Sequence, residues 1–201
     1  DGTDLTITSG NDIVLAVGAA GSAYCAGIAG SNNTIFGLNA GDGLVSGADG
    51  NVAFGEDALS GTMTNAADNN TAVGYQAGTA ITTGAENTVI GSTAGNALTS
   101  GQRNIGIGSV ALSGSTDVDY AVCIGYGAGA ADMTDAADSS VFIGRAAGNG
   151  VTSGGGNVAV GGLALSTTGT GQFNTAIGYN ALTTLPDGGD GNTAVGYQAM
   201  E

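Results

Sequence analysis

The sequence predicts an all-β fold, a parallel β-solenoid of ten to eleven coils, on the basis of three observations. A short phrase recurs ten times, most clearly at residues 70–77, 174–181 and 192–199. Bulky and small apolar residues alternate just before the central glycine of each copy. These glycines follow one another at intervals of 17 to 19 residues: Gly37, Gly55, Gly74, Gly91, Gly108, Gly125, Gly144, Gly161, Gly178 and Gly196. A fixed period in this range is typical of a solenoid in which each repeat forms one coil.

The residues before the central glycine predict one short β-strand per coil. The position directly before the glycine is always Val, Ile or Phe, and the position before that is usually small. Because neighbouring strand residues point to opposite faces, the two rows face opposite ways. We expect the bulky row to fill the interior of the coil. A thin coil needs a second layer, so we expect the small row to form a seam between copies of the chain: Ala53, Ala72, Cys123, Ala159, Ala176 and Ala194.

The remaining positions of the repeat predict how the chain returns to the next strand. The third residue after the central glycine is alanine in every copy, and asparagine begins eight of the ten copies. Asparagine tolerates left-handed backbone geometry, and its amide can form ladders between stacked chains. We therefore expect a tight turn at the glycine, a short return strand such as residues 97–100, and a corner lined by an Asn ladder.

The domain organisation follows from the period. Residues 1–30 fit it poorly, and we interpret them as an extended lead-in and an atypical opening coil before a solenoid domain at residues 31–201. The chain begins without Met, so we interpret it as a segment of a longer protein. Cys25 and Cys123 lie about five coils apart, roughly 25 Å, which is too far for a disulfide. We expect Cys123 to be a small buried apolar residue.

The composition excludes several classes of function. Two cationic residues stand against 17 acidic ones, and the formal net charge is -15. Nucleic acids and anionic membranes need clusters of Lys and Arg, so neither is an expected partner. No apolar run is long enough to span a bilayer, and we expect no membrane insertion. The chain has no His and only two Cys, so we do not expect an enzyme with a catalytic triad or a conventional zinc site.

The acidic insertions make calcium the one cofactor that the sequence suggests. Solvated loops are the simpler interpretation of these insertions, and we expect no cofactor. Carboxylates are calcium ligands, and residues Asp132, Asp135 and Asp138 recur at intervals of three. Asp117 and Asp119 form a shorter pair of the same kind.

Binding to ice or another crystal surface is a further alternative, since it needs a flat row of threonines. One position of the strand supplies such a row, but Val or Ile interrupts it in the other coils: Thr34, Thr71, Thr88, Thr175 and Thr193.

The position directly after the central glycine is the candidate surface for a partner. It varies freely between coils, and tyrosine occupies it at Tyr75, Tyr126, Tyr179 and Tyr197. An exposed tyrosine can stack on a sugar or anchor a protein. The simpler interpretation is that aromatic residues fill a strand surface.

The repeated phrase resembles the repeats of bacteriophage tail fibres. Residues 31–200 carry copies such as Asn-Thr-Ala-Val-Gly-Tyr-Gln-Ala, joined by Thr-x-Gly-x-x-Asn. The phrase is also similar to the head of trimeric autotransporter adhesins, whose coils are shorter. Both resemblances imply a homotrimer of left-handed parallel β-rolls with a structural or adhesive role, in a virion tail appendage or another extracellular place. Host-surface glycans or proteins are the implied partners. The longer period and the acidic insertions favour the phage fibre, with the adhesin head as the alternative.

Overall fold

The computed structural model describes residues 30–134, 137–167, 169–185 and 188–201. Ten strands of three residues, one per coil, form a single parallel sheet in chain order. The strands are β1 (Thr34–Phe36), β2 (Val52–Phe54), β3 (Thr71–Val73), β4 (Thr88–Ile90), β5 (Ile105–Ile107), β6 (Val122–Ile124), β7 (Val141–Ile143), β8 (Val158–Val160), β9 (Thr175–Ile177) and β10 (Thr193–Val195). The parallel β-solenoid is confirmed. The predicted lead-in, the opening coil and Cys25 lie outside the described residues.

Each strand pairs with the next in strict register, so equivalent residues of successive coils stack. Ile105 lies beside Val122, and Ile107 beside Ile124. The backbone ladder continues past both ends of the strands, where Thr88 N donates to Asn104 O at 2.8 Å and Gly91 N donates to Val73 O at 2.7 Å. The described residues include no helix long and apolar enough to cross a membrane.

The structure reverses the predicted facing of the two strand rows. The small middle residues of the strands are buried within one chain, and Ala72, Cys123 and Ala159 have no exposed surface. The bulky residues point outward, as Phe54 (52 % exposed) and Ile143 (38 % exposed) illustrate. The predicted seam is therefore wrong for all six of its residues: Ala53, Ala72, Cys123, Ala159, Ala176 and Ala194. The coil is too narrow to hold a bulky strand residue together with the side chains that its own turn contributes.

Packing inside the coil depends on an exchange of volume between two positions. Where the middle strand residue is small, the fourth residue after the central glycine is often a buried leucine, as with Ala159 and Leu165. Where the middle residue is Phe142, that position is Gly148, and a Cβ there would lie 2.4 Å from the Phe142 ring. A Cβ at Gly95 would likewise lie 2.6 Å from a methyl group of Val89. In the described coils a large side chain comes from the strand or from the turn but never from both, and the pairs Ala72–Gly78 and Cys123–Gly129 supply neither.

This exchange predicts a compensating pair of substitutions. We expect Phe142→Ala to lower the free energy of unfolding by about 3 to 5 kcal/mol through the cavity it leaves. Gly148→Leu alone should be at least as harmful, because the new side chain overlaps the Phe142 ring. The double variant recreates the Ala159–Leu165 arrangement and should recover more than half of the loss. Urea denaturation of all four proteins measures the coupling, and additive losses would contradict the exchange.

The return segment has no strand in the described residues, so the predicted return strand at 97–100 is wrong. Its backbone is nevertheless bonded from coil to coil, since Thr82 N donates to Thr99 O and Thr99 N to Thr116 O, at 2.9 and 2.8 Å. The threonine hydroxyls follow the same route, and Thr99 Oγ1 donates to Thr116 O at 2.9 Å. A tight turn after each central glycine reverses the chain within a few residues, which leaves no extended length for a second strand.

The Asn ladder at the corner is confirmed. Asn87 Oδ1 accepts hydrogen bonds from both the backbone N and the Nδ2 of Asn104, each at 3.0 Å. Asn87 Nδ2 donates to Gly101 O at 2.8 Å. These side chains are fully buried, so each amide satisfies backbone groups of the next coil that water cannot reach. The ladder is interrupted where Ala121 and Ser140 replace asparagine.

Candidate interaction surface

The first and third residues of every strand point away from the core and together form one continuous surface, here called the outer face. Its leading column consists of the first strand residues: Thr34, Val52, Thr71, Thr88, Ile105, Val122, Val141, Val158, Thr175 and Thr193. Its trailing column consists of the third strand residues: Phe36, Phe54, Val73, Ile90, Ile107, Ile124, Ile143, Val160, Ile177 and Val195. Neither column contains a charged residue.

The outer face is regular because equivalent residues of ten strands stack in register. At about 4.8 Å between strands it is roughly 43 Å long, and its two columns stand about 6.6 Å apart. Phe36 and Phe54 stack at one end of it, with ring centroids 4.9 Å apart and planes inclined by 18°. β-Branched side chains have few rotamers, so most of this surface is rigid. Its trailing column is the bulky row that the sequence predicted to fill the interior of the coil.

The four predicted partner tyrosines are exposed, but they do not form one surface. Tyr75 and Tyr126 stand in separate coils, with Ser92 and Ser109 between them in the same row. Tyr179 and Tyr197 stack on each other, with centroids 5.8 Å apart and planes inclined by 12°. Stacking covers a ring face that a sugar would need, so this pair offers mainly edges and hydroxyl groups to a partner. A role for these tyrosines in binding stays a prediction.

A short polar row lies at the corner on three successive coils. Arg103 Nε donates to Glu86 Oε2 at 2.9 Å, and Arg103 Nη1 donates to Tyr120 Oη at 2.7 Å. The hydrogen bond to Glu86, followed by the one to Tyr120, raises the pKa of the Arg103 guanidinium above its ordinary value. All three residues have left-handed backbone geometry, with φ near 60°. Because the row is exposed to solvent, it adds little to stability.

Several of the acidic residues have a structural role that the sequence interpretation missed. Asp49 Oδ1 accepts a hydrogen bond from Ser31 N at 2.6 Å, and Asp68 Oδ1 accepts one from Asp49 N at 2.8 Å. Asp119 and Asp138 bond in the same way to backbone N–H groups of the preceding coil. The sequence did carry a signal, since aspartate stands six residues before the central glycine in five coils: Asp49, Asp68, Asp119, Asp138 and Asp190.

The predicted calcium ligands are only partly placed by the structure. Asp132 is exposed, and Asp138 Oδ1 accepts a hydrogen bond from Asp119 N at 2.7 Å. Asp135 lies outside the described residues. No group of three or more His, Cys, Asp or Glu side chains close enough to hold a metal ion occurs in the part of the chain that the structure describes.

We expect removal of divalent metals to leave the melting temperature unchanged, because the Asp138 oxygen already bonds to the backbone. Thermal unfolding followed by circular dichroism, with and without a chelator, measures this. A fall of several degrees that added calcium reverses would restore calcium as a structural ligand.

Cys123 is a buried core residue, as expected for a small apolar side chain. Burial raises the pKa of its thiol to about 12. We expect a maleimide probe to label a Cys25→Ala variant only after unfolding, because the thiolate is the reactive form. Mass spectrometry before and after denaturation measures the labelling, and rapid labelling of the native protein would contradict this placement.

Comparison of the chain with protein-family models, with curated proteins and with solved structures found no match.

Proposed function

We propose that this chain is a structural and adhesive shaft segment of a phage tail fibre and that it functions as a homotrimer. The observation that carries the proposal is the continuous parallel sheet of ten strands, whose coils are joined by backbone bonds throughout and by buried Asn amides in most of them. A rod held together in this way keeps a fixed length, which is the property a shaft requires.

The distribution of chemistry along the rod supports the same role. Apolar residues form one continuous face, which can join copies of the chain, while the exposed tyrosines and polar loops stand away from the core. The net charge of -15 keeps such rods apart unless a specific surface brings them together. Attachment to a host glycan or protein would use the variable positions, since the repeated positions are needed to build the rod.

A change in the number of coils tests the shaft. Duplicating residues 88–104 inserts one coil between equivalent positions, and we expect the protein to fold and lengthen by about 4.8 Å. Small-angle scattering should report a longer rod of unchanged cross-section. A globular shape, or loss of folding on insertion, would overturn the shaft.

The adhesive part needs a separate measurement. Purified protein should bind bacterial cell envelopes, and substitution of Tyr75 and Tyr126 by serine, the residue of the two coils between them, should weaken that binding without shortening the rod. Binding to no envelope tested would leave a shaft without adhesion and contradict that part of the proposal.

A further inference from the structure

We infer that the outer face is the surface through which copies of this chain associate, with the rods side by side and pointing in the same direction. In this arrangement the leading column of one copy packs on the trailing column of the next. The inference rests on the proposed shaft function and names the surface that assembles it, which differs from the small-residue seam that the sequence suggested.

The chemistry of the outer face favours another copy of the chain as its occupant. The face exposes isoleucine, valine and phenylalanine, including Phe54, Ile143 and Ile177, whereas the acidic residues that the structure describes lie outside it. An acidic chain repels anionic membranes and nucleic acids, so an uncharged protein surface is the fitting partner. The one surface certain to be present at the same concentration, with the same spacing between coils, is the outer face of a second copy.

The size of the outer face is consistent with association. With side-chain width included, it measures roughly 43 by 11 Å, close to 500 Å² per copy. In a trimer the three faces together bury about 1,400 Å², which is within the range of specific interfaces. An apolar patch of about 500 Å² is the size of the largest patch on many soluble proteins, and such a patch is often functional. The stacked pair of Phe36 and Phe54 adds the kind of aromatic anchor that concentrates binding energy.

The two columns differ in bulk, and this difference selects the direction of packing. The leading column is Thr or Val in every coil except at Ile105, whereas the trailing column is Ile, Val or Phe throughout. Rods pointing the same way place the bulky column of one copy against the smaller column of the next, at every coil. Rods pointing in opposite directions, face to face, place bulky residues against bulky ones and threonines against threonines. Close packing favours the first arrangement.

Cysteine pairs test both the surface and the direction. In a Cys25→Ala, Cys123→Ala background, Thr175→Cys with Ile177→Cys places a thiol in each column of the ninth coil. Mild oxidation should give covalent trimers, or covalent dimers if only two copies meet, because the leading cysteine of one copy lies beside the trailing cysteine of the next. Each single variant should give at most a dimer. The control pair Thr71→Cys with Val158→Cys links only rods that point in opposite directions, so efficient cross-linking of that pair would overturn the inference.

A charge substitution tests the surface independently of disulfide chemistry. Ile124→Arg should convert the assembly to single chains of 19.0 kDa in native mass measurements, whereas Ser100→Arg, on the return segment, should leave its mass unchanged. Circular dichroism establishes that both variants are folded. An unmodified protein that is a monomeric rod in scattering would overturn this inference and leave the shaft intact. A protein that is not a rod would overturn the shaft itself.

Discussion

Gly125→Ala should lower the free energy of unfolding by about 3 kcal/mol or more, the largest effect we expect from a single methyl group. Gly125 has φ of +130°, a conformation that L side chains rarely adopt. An added Cβ would also lie 2.6 Å from the carbonyl oxygen of Gly144 in the next coil. Because the coils are locked in register, neither backbone can move away without breaking the ladder. Chemical denaturation of the variant measures the loss.

Gly127→Ala is the matched control in the same coil. Gly127 also has a positive φ, +64°, but the nearest atom to an added Cβ is 3.9 Å away. Ala146 occupies the equivalent position of the next coil with φ of +55°. We expect a loss of about 1 kcal/mol, from left-handed strain alone. Equal losses in the two variants would show that contact between the coils does not set the requirement for glycine at position 125.

Asn87→Ala should lower the free energy of unfolding by roughly 2 to 4 kcal/mol. The substitution removes the acceptor of the buried Asn104 backbone N–H and the amide that donates to Gly101 O. No solvent reaches these groups, so their loss is not compensated by water. Denaturation measured beside the unmodified protein gives the magnitude, and a loss below about 0.5 kcal/mol would contradict a structural role for the ladder.

Two further substitutions at the same corner make the interpretation specific. Ala121→Asn should extend the ladder into a coil that lacks it and raise the free energy of unfolding by about 1 kcal/mol. Asn87→Asp should be destabilising at neutral pH, because it buries a charge, and less so in acid. The sign follows from burial: the folded-state pKa of the new carboxyl lies above its unfolded value, so its penalty is present at high pH and disappears as it protonates. A penalty independent of pH would contradict this account.

The sequence was sufficient to predict the period, the strands, the tight turns and the Asn ladder, because each depends on residues within one repeat. It was not sufficient to decide which strand row faces inward. Alternation identifies two faces, and the bulkier one is the usual choice for a core. The deciding information lies in the turn, where Leu165 accompanies Ala159 and Gly148 accompanies Phe142.

The structural role of the acidic residues also could not be predicted from the sequence. Asp68 and Asp138 lie in stretches that resemble solvated loops, yet their carboxylates accept backbone hydrogen bonds from the preceding coil. Their common distance from the central glycine is visible in the sequence, but its meaning appears only once the coils are stacked. The outer face was inaccessible to sequence reasoning for the opposite reason, since valine and isoleucine in a strand suggest burial wherever they occur.

The gap in the Asn ladder has a consequence for how the rod comes apart. In a stack where each coil contacts only its neighbours, stability is a chain of nearest-neighbour terms, and the weakest one divides the molecule into cooperative units. Asn104 Oδ1 accepts a hydrogen bond from Ala121 N, but Ala121 has no side-chain amide that could bond to the next coil. In the following coil the Ser140 hydroxyl takes the place of the amide and accepts from Asn157 N at 3.3 Å. Amide hydrogen exchange should therefore proceed in two blocks that meet near the sixth and seventh coils. One block should open at a lower free energy than the other, so part of the rod would stay folded after the rest has unfolded.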